Sequence, residues 1–231
     1  TRDISLLLPV REVNFWQQAA GDLRRLLHAL TRDNFSLSFY AREGPEAVGE
    51  GRELAGAIEP DCVSMLSGGL DSLAGAVTLQ HSGRRPLYSL HRSGNPTVRA
   101  AQEHVLAVLA RHWSECCLTV PYQVAPNTTA TSLPFPQPEQ REPSRRVRSL
   151  LFLAAAEVAA VARGLSEVYM FENGVLSAAL PLTAARTGSL STRSTHPTLL
   201  MLFNALCARA GLSPRVSNPF VYQTKSELIR D

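Results

Sequence analysis

The order of apolar and polar positions divides the chain into alternating strands and helices. Residues 3–10 read as a strand, and residues 15–31 as an amphipathic helix with Leu23, Leu26, Leu27 and Leu30 on one face. Residues 35–41 alternate as a second strand, and a polar, Gly-rich stretch from Arg42 to Gly56 follows. A short apolar strand is then expected at 62–66, a helix at 70–80 and a strand at 86–90. Asn95-Pro96-Thr97 opens the next helix, with Asn as cap and Pro in the first turn. Val98, Ala101, Val105, Val108 and His112 continue it at helical spacing. A strand is expected at 116–120, a helix at 147–163 ended by Gly164, and a strand at 167–171. A polar loop at 183–195 leads to a helix at 197–209 closed by Gly211. A strand at 216–221 and the capping box Thr224-Lys-Ser-Glu227 complete the pattern, the box opening a last helix.

Strands and helices alternating at this spacing predict an α/β fold: a doubly wound, mainly parallel sheet covered by helices on both faces. Residues 1–45 form a small N-terminal β-α-β unit, 46–60 a linker, and 61–231 the main domain. The 147–163 helix is apolar nearly all round and is expected to be buried. The stretch 121–144 carries prolines at 121, 126, 134, 136, 138 and 143 and is read as a loop that closes over a crevice as a lid. A chain that begins at Thr1 and stops at Asp231 within a helical pattern reads as part of a longer protein, incomplete at its C-terminus.

Composition narrows the classes. The 231 residues are 45% hydrophobic and 19% charged, which excludes disorder and coiled coil. The longest apolar run, 150–161, is broken by Glu157 and falls short of the roughly 18 residues of a membrane span. Net charge is +3 without a basic run, which argues against nucleic acid as the partner. Lys225 is the one lysine, so the positive charge is almost all arginine. Cys62, Cys116, Cys117 and Cys207 form no Cys-x-x-Cys pair and read as buried thiols of a cytoplasmic protein.

The chemistry concentrates in Ser67-Gly68-Gly69-Leu70-Asp71-Ser72, between a buried strand and a helix. Two glycines let backbone approach a ligand, and the helix N-terminus offers free N–H groups to phosphate. Asp71 beside an anion implies a bridging cation and suggests Mg²⁺. Read as a turn residue, Asp71 is expected to be exposed and to tolerate Asn at a cost within about 1 kcal/mol. No Gly-Lys-Ser/Thr follows, so this is not a Walker loop.

This hexapeptide resembles the PP-loop of the ATP pyrophosphatases, α/β enzymes of the adenine-nucleotide α-hydrolase-like type. They split ATP between the α- and β-phosphates and adenylate a substrate. Further along, Arg148-Ser149-Leu150-Leu151-Phe152 resembles the R-N-x-x-F segment of 7-cyano-7-deazaguanine synthase. Phe171-Glu172-Asn173-Gly174 falls at that family's turn after its fourth strand, Thr195-His196-Pro197 at its Asp-Cys-Arg segment, and Asn218-Pro219-Phe220 with Lys225-Ser-Glu227 at its P-L-x…T-K-x-E-I run. The likeness covers about residues 60–231. It departs at Ser149, where the family has Asn, in the missing D-Y-S-G-Y-P-D-C segment, and in the N-terminal unit. These departures resemble the divergent QueC-like proteins of bacterial anti-phage operons.

The resemblance implies an ATP-dependent carbon–nitrogen ligase that adenylates a small carboxylate of the 7-deazaguanine type and passes it to an amine or ammonia. Asp71, Arg148 and Glu172 are then the catalytic candidates. Ser67, Gly68, Gly69, Leu70, Asp71, Ser72, His91, Asn173 and Lys225 are expected to bind the nucleotide, with Asp71 on Mg²⁺. Zn²⁺ would be held by residues beyond Asp231, and a protein from the same operon is an expected partner. The implied strand order 3-2-1-4-5 brings the turns after strands one and four together, and Asp71 near Glu172. The alternatives are a tRNA-modifying PP-loop enzyme and a non-catalytic nucleotide-binding subunit of a defence assembly. Arg145, Arg146 and His196 are weaker candidates, while Trp16 and Trp113 read as core or interface anchors.

Overall fold

The computed structural model describes residues 2–44, 59–113, 118–124, 147–178 and 193–230. Their elements are β1 (Asp3–Val10), α1 (Val13–Thr31), β2 (Asn34–Ala41), β3 (Cys62–Met65), α2 (Leu70–His81), β4 (Pro86–His91) and α3 (Pro96–His112). After them come β5 (Leu118–Tyr122), α4 (Arg148–Ala162), β6 (Glu167–Tyr169), α5 (Gly174–Ser177), α6 (Pro197–Arg209), β7 (Arg215–Ser217) and α7 (Glu227–Arg230). The Cys116–Cys117 pair, Arg145, Arg146, the linker core and most of the Pro-rich stretch lie outside the described residues.

Five strands form one parallel sheet in the order β5-β4-β3-β6-β7. Within this sheet that is the order 3-2-1-4-5 expected from the sequence. Continuous apolar runs explain it: Cys62 and Val63 in β3 and Leu87 and Tyr88 in β4 are fully buried, as strands covered on both faces must be. On one face α2 and α3 pack through Ala76, Val105 and Leu109. On the other, α4 and α6 pack through Leu153, Ala156, Ala160, Leu199 and Phe203.

β1 and β2 make a separate parallel pair, joined by α1. This unit is not isolated, because Ala19, Leu26 and Leu30 of α1 join the core formed by α4 and α6. An ion pair of 2.7 Å between Arg209 Nε and Asp22 Oδ2 ties the same two helices at the surface.

Several expectations change. The α4 helix is not buried all round: Leu151, Val158 and Val161 are 36%, 67% and 45% exposed. It lies over a single sheet, and nothing among the described residues covers its outer side. β5 runs to Tyr122 and includes Pro121, so the loop starts later than residue 121. Proline is tolerated there because β5 is the sheet's edge strand. The run 216–221 leaves the sheet after Ser217, where Asn218 bonds back to the backbone instead of to a neighbouring strand. Similarly, β6 ends at Tyr169, two residues before the expected boundary.

Gly75, in the middle of α2, is needed for contact and not for its dihedral freedom. A Cβ there would sit 2.0 Å from Cγ of Phe171. Phe171 in turn packs at a tilt against Phe220, with centroids 4.8 Å apart. Ala normally stabilises a helix interior relative to Gly by about 1 kcal/mol. Here Gly75→Ala should instead destabilise by about 1–3 kcal/mol through overpacking. Urea denaturation of the two proteins checks it; an Ala variant at least as stable as the parent would refute this packing.

Candidate functional site

The Ser67–Ser72 loop leaves the carboxyl end of β3 and becomes the first turn of α2. Gly68 has φ +83, and a Cβ on it would approach the Gln102 backbone nitrogen to 2.8 Å. Both facts demand glycine. The loop is braced internally: Gly69 N donates to Ser67 Oγ at 3.2 Å, Ser72 Oγ donates to the Gly69 carbonyl at 2.8 Å, and the two hydroxyls lie 3.0 Å apart. Within the helix, hydrogen bonding begins with Leu73 N, which donates to the Gly69 carbonyl. The amides of Leu70, Asp71 and Ser72 therefore remain for a ligand, at the positive end of a 12-residue helix.

Asp71 is buried, at 7% exposure, which corrects its reading as an exposed turn residue. It points inward because Asn173 receives it: Asn173 N and Nδ2 donate to Oδ2 at 3.0 and 2.7 Å. The Asn173 Oδ1 caps α5 by accepting from Leu176 N. The side chain of Asn173, expected to meet nucleotide, is thus committed to holding Asp71. Lys225 Nζ stands 3.5 Å from Asp71 Oδ1, an oxygen that otherwise has no hydrogen-bond partner. Lys225 projects from a capping box in which Thr224 N donates to Glu227 Oε2 at 2.7 Å.

Glu172 flanks Asp71, and its backbone is clamped from both sides. Glu172 N donates to Asn218 Oδ1 at 3.2 Å, and Asn218 Nδ2 donates to the Glu172 carbonyl at 2.8 Å. Ser177 Oγ donates to the same carbonyl at 3.1 Å. Gly174 permits this crowding, since a Cβ there would meet the Val221 carbonyl oxygen at 2.3 Å. Burial, together with the Asp71 carboxyl beside it, pushes Glu172 up to about 7. Burial alone would also raise Asp71. The Asn173 amides, the Glu172 carboxyl and Lys225 outweigh it and hold Asp71 below its ordinary value.

Glu172 lines a cavity of about 410 Å³ with Ser67, Ser72, His91, Arg148 and Phe152. The His91 ring packs on Phe152 and Tyr122, at centroid distances of 5.0 and 5.5 Å. Its carbonyl accepts from Gln102 Nε2 at 3.1 Å. The Arg148 guanidinium lies over Phe152, 5.3 Å from the ring centre. His196 caps α6 by accepting from Thr198 N. Cys62 and Cys207 are buried, and burial pushes both thiols up to about 12, which leaves them unreactive.

Gln102 was not singled out from the sequence, and Asn218 was noted only within the 218–220 resemblance without a site role, yet both build the site. Gln102 offered a signal, being an amide on the otherwise apolar stripe of α3. Asn218 offered only its place in the 218–220 segment, which does not tell what its side chain holds.

The donor set suits a hard cation. Asp71 Oδ1 is a buried oxygen without a hydrogen bond, and a second carboxyl stands beside it. Among the described residues no cluster of three or more His, Cys, Asp or Glu could enclose a metal ion. Mg²⁺ bound by one or two carboxylates and completed by substrate phosphates needs no such cage. No model of a known protein family matches the chain, and no curated protein matches it.

Removing the Asp71 carboxylate should cost more than a turn residue would. Asp71→Ala leaves the two Asn173 donors without their acceptor and is expected to lose about 2–3 kcal/mol. Glu172 supplies the pH test. Unfolded, it titrates near 4.5; folded, near about 7. The folded state binds the proton more tightly, so this contribution to stability falls as pH rises through that interval and then levels off. Asp71 acts in the opposite sense: its contribution is present above 3.8 and is lost as pH falls. Glu172→Gln should therefore match the parent's thermal midpoint near about pH 5 and exceed it near about pH 8. Parallel midpoints across that range would exclude a buried, proton-sharing Glu172.

Proposed function

We propose that this chain is the nucleotide-binding part of an ATP-dependent, AMP- and pyrophosphate-forming carbon–nitrogen ligase of the PP-loop type. Its substrate would be a small planar carboxylate of the 7-deazaguanine class. One observation carries the reading: the turn into α2 leaves the amides of Leu70–Ser72 without a backbone partner, and its Ser67 and Ser72 line one cavity with Glu172, which stands beside the Asp71–Lys225 pair.

A substrate carboxylate oxygen attacks the α-phosphorus of ATP in line. The bond from the α-phosphorus to the oxygen bridging it to the β-phosphate breaks, and pyrophosphate leaves with that electron pair. The Gly69–Ser72 turn binds the departing phosphates through backbone N–H groups, and Lys225 adds positive charge beside them. Asp71 would hold Mg²⁺, which when bound neutralises phosphate charge. The amine nitrogen then attacks the acyl carbon, AMP leaves, and the nitrogen's proton passes to the Glu172 carboxylate. Burial raises the affinity of Glu172 for a proton, which suits it to that transfer. His91, Tyr122 and Phe152 supply the apolar wall for a planar ring.

The test is pyrophosphate release by the full-length protein given ATP, Mg²⁺, 7-carboxy-7-deazaguanine and an amine. Release should require the carboxylate. It should fall about 10²–10³-fold in Gly68→Ala, which blocks the amide cradle, and by a comparable factor in Asp71→Asn. Glu172→Gln should slow amide formation without slowing the first release of pyrophosphate. ATP left intact with every amine and carboxylate supplied would overturn the reading.

A further inference from the structure

The pairing of β3 with β4 ends beside the Ser67–Ser72 loop, and a side chain takes over from the backbone there. Leu66 N donates to the Ser89 carbonyl at 2.9 Å, one residue past the last strand pair, Met65 with Ser89. Continued in the same parallel register, the next bonds would run from His91 N to the Leu66 carbonyl and from Gly68 N to the His91 carbonyl. Gln102 meets both of these acceptors. Its Nε2 donates to the His91 carbonyl at 3.1 Å and to the Leu66 carbonyl at 3.4 Å. One amide nitrogen with two hydrogens thus serves two backbone acceptors at the carboxyl end of the sheet.

α3 places Gln102 for this. The residue shares the inward stripe of that helix with Val105 and Leu109 and is 4% exposed. A buried amide is costly unless it is bonded, and the two carbonyls give the reason for an amide on an apolar stripe. The Gln102 backbone also stands against the loop: a Cβ on Gly68 would lie 2.8 Å from Gln102 N and 2.9 Å from its Cγ. Gln102 therefore meets the loop at two points, the Leu66 carbonyl before it and Gly68 within it. On its other side it holds His91, whose ring packs on Phe152 and Tyr122. Leu66, Ser67, His91 and Gln102 all line the cavity of about 410 Å³.

We infer that Gln102 is the positioning residue of the phosphate loop. By taking the two carbonyls that strand pairing would otherwise use, it lets β3 part from β4 at Leu66. It thereby sets the direction in which Ser67 and Gly68 leave the strand, and that direction aims the amides of Leu70–Ser72 at a bound phosphate. Gln102 acts through the backbone and not on the ligand. An apolar side chain of the same size would fill the space but leave both carbonyls unbonded and the loop without its brace. The inference rests on the reading of Ser67–Ser72 as a phosphate loop, and not on which carboxylate or amine the ligase uses.

The probe is inorganic pyrophosphate with Mg²⁺, titrated by calorimetry into the full chain. Gln102→Met keeps the volume and removes both donors. Its dissociation constant should rise at least about tenfold, because a donor array that is no longer held in place must be ordered by the ligand. Gln102→Asn keeps the amide but is one methylene too short to span both carbonyls, and it should weaken binding by a smaller factor. Val105→Ala, on the same stripe of α3, is the control: its thermal midpoint should fall while its dissociation constant stays that of the parent. Loss of folded protein lowers the number of sites and leaves the constant alone, which separates stability from positioning. Parental affinity in a folded Gln102→Met or Gln102→Asn protein would overturn the assignment. So would an equal loss of affinity in Val105→Ala. A parent that binds no pyrophosphate would overturn this inference together with the phosphate-loop reading. Gln102-dependent binding in a protein that never cleaves ATP would support the inference and overturn the ligase reading alone.

Discussion

A buried carboxylate organises this protein. Asp71 lies out of water at the start of α2, where an unpaired charge would cost several kcal/mol. Two donors of Asn173 remove that cost, and Asn173 can reach Asp71 only if β6 lies beside β3. Asn218, which holds Glu172, follows β7, so β7 must lie beside β6. The sheet order and the carboxylate cluster are thus one constraint seen at two scales. Hydrophobic burial makes the sheet, and satisfying polar groups at its carboxyl edge fixes which strands are neighbours.

The same edge explains why the glycines fall where they do. Gly68 turns left-handed against Gln102, Gly75 admits the Phe171 ring, and Gly174 lets the Val221 backbone pass. The first serves both conformation and space, and the other two serve space. Gln102 then ties the carbonyls of Leu66 and His91 together, so the loop after β3 and the end of β4 hold a fixed relation. Preorganisation of the cavity comes from these backbone clamps more than from its lining side chains.

The outer helical layer is less complete. The exposed valines of α4 and Met201 of α6 are apolar groups on the water side of the fold. Glu157 is the converse, a carboxyl on the inner face of α4 whose burial raises its affinity for a proton. Together they show that α4 is not a simple amphipathic helix. Its sequence lacks the polar stripe that would tell which side faces the sheet.

Local chemistry was legible in the chain itself. Apolar periodicity placed the helices within a few residues. Asn95-Pro96 and Thr224–Glu227 marked their own helix starts, since a cap needs only neighbouring residues. The Gly-Gly turn and the companion positions Glu172 and Lys225 could also be named from the sequence. What it withheld depends on contacts between distant segments. Burial of Asp71, the commitment of Asn173 to it and the raised Glu172 all join residues far apart in the chain. Exposure of the α4 valines belongs with them, because periodicity reports how apolar a helix is and not what lies against it. Propensity and capping act within a turn or two. Desolvation and charge act through space, and only the packed chain decides which groups share that space.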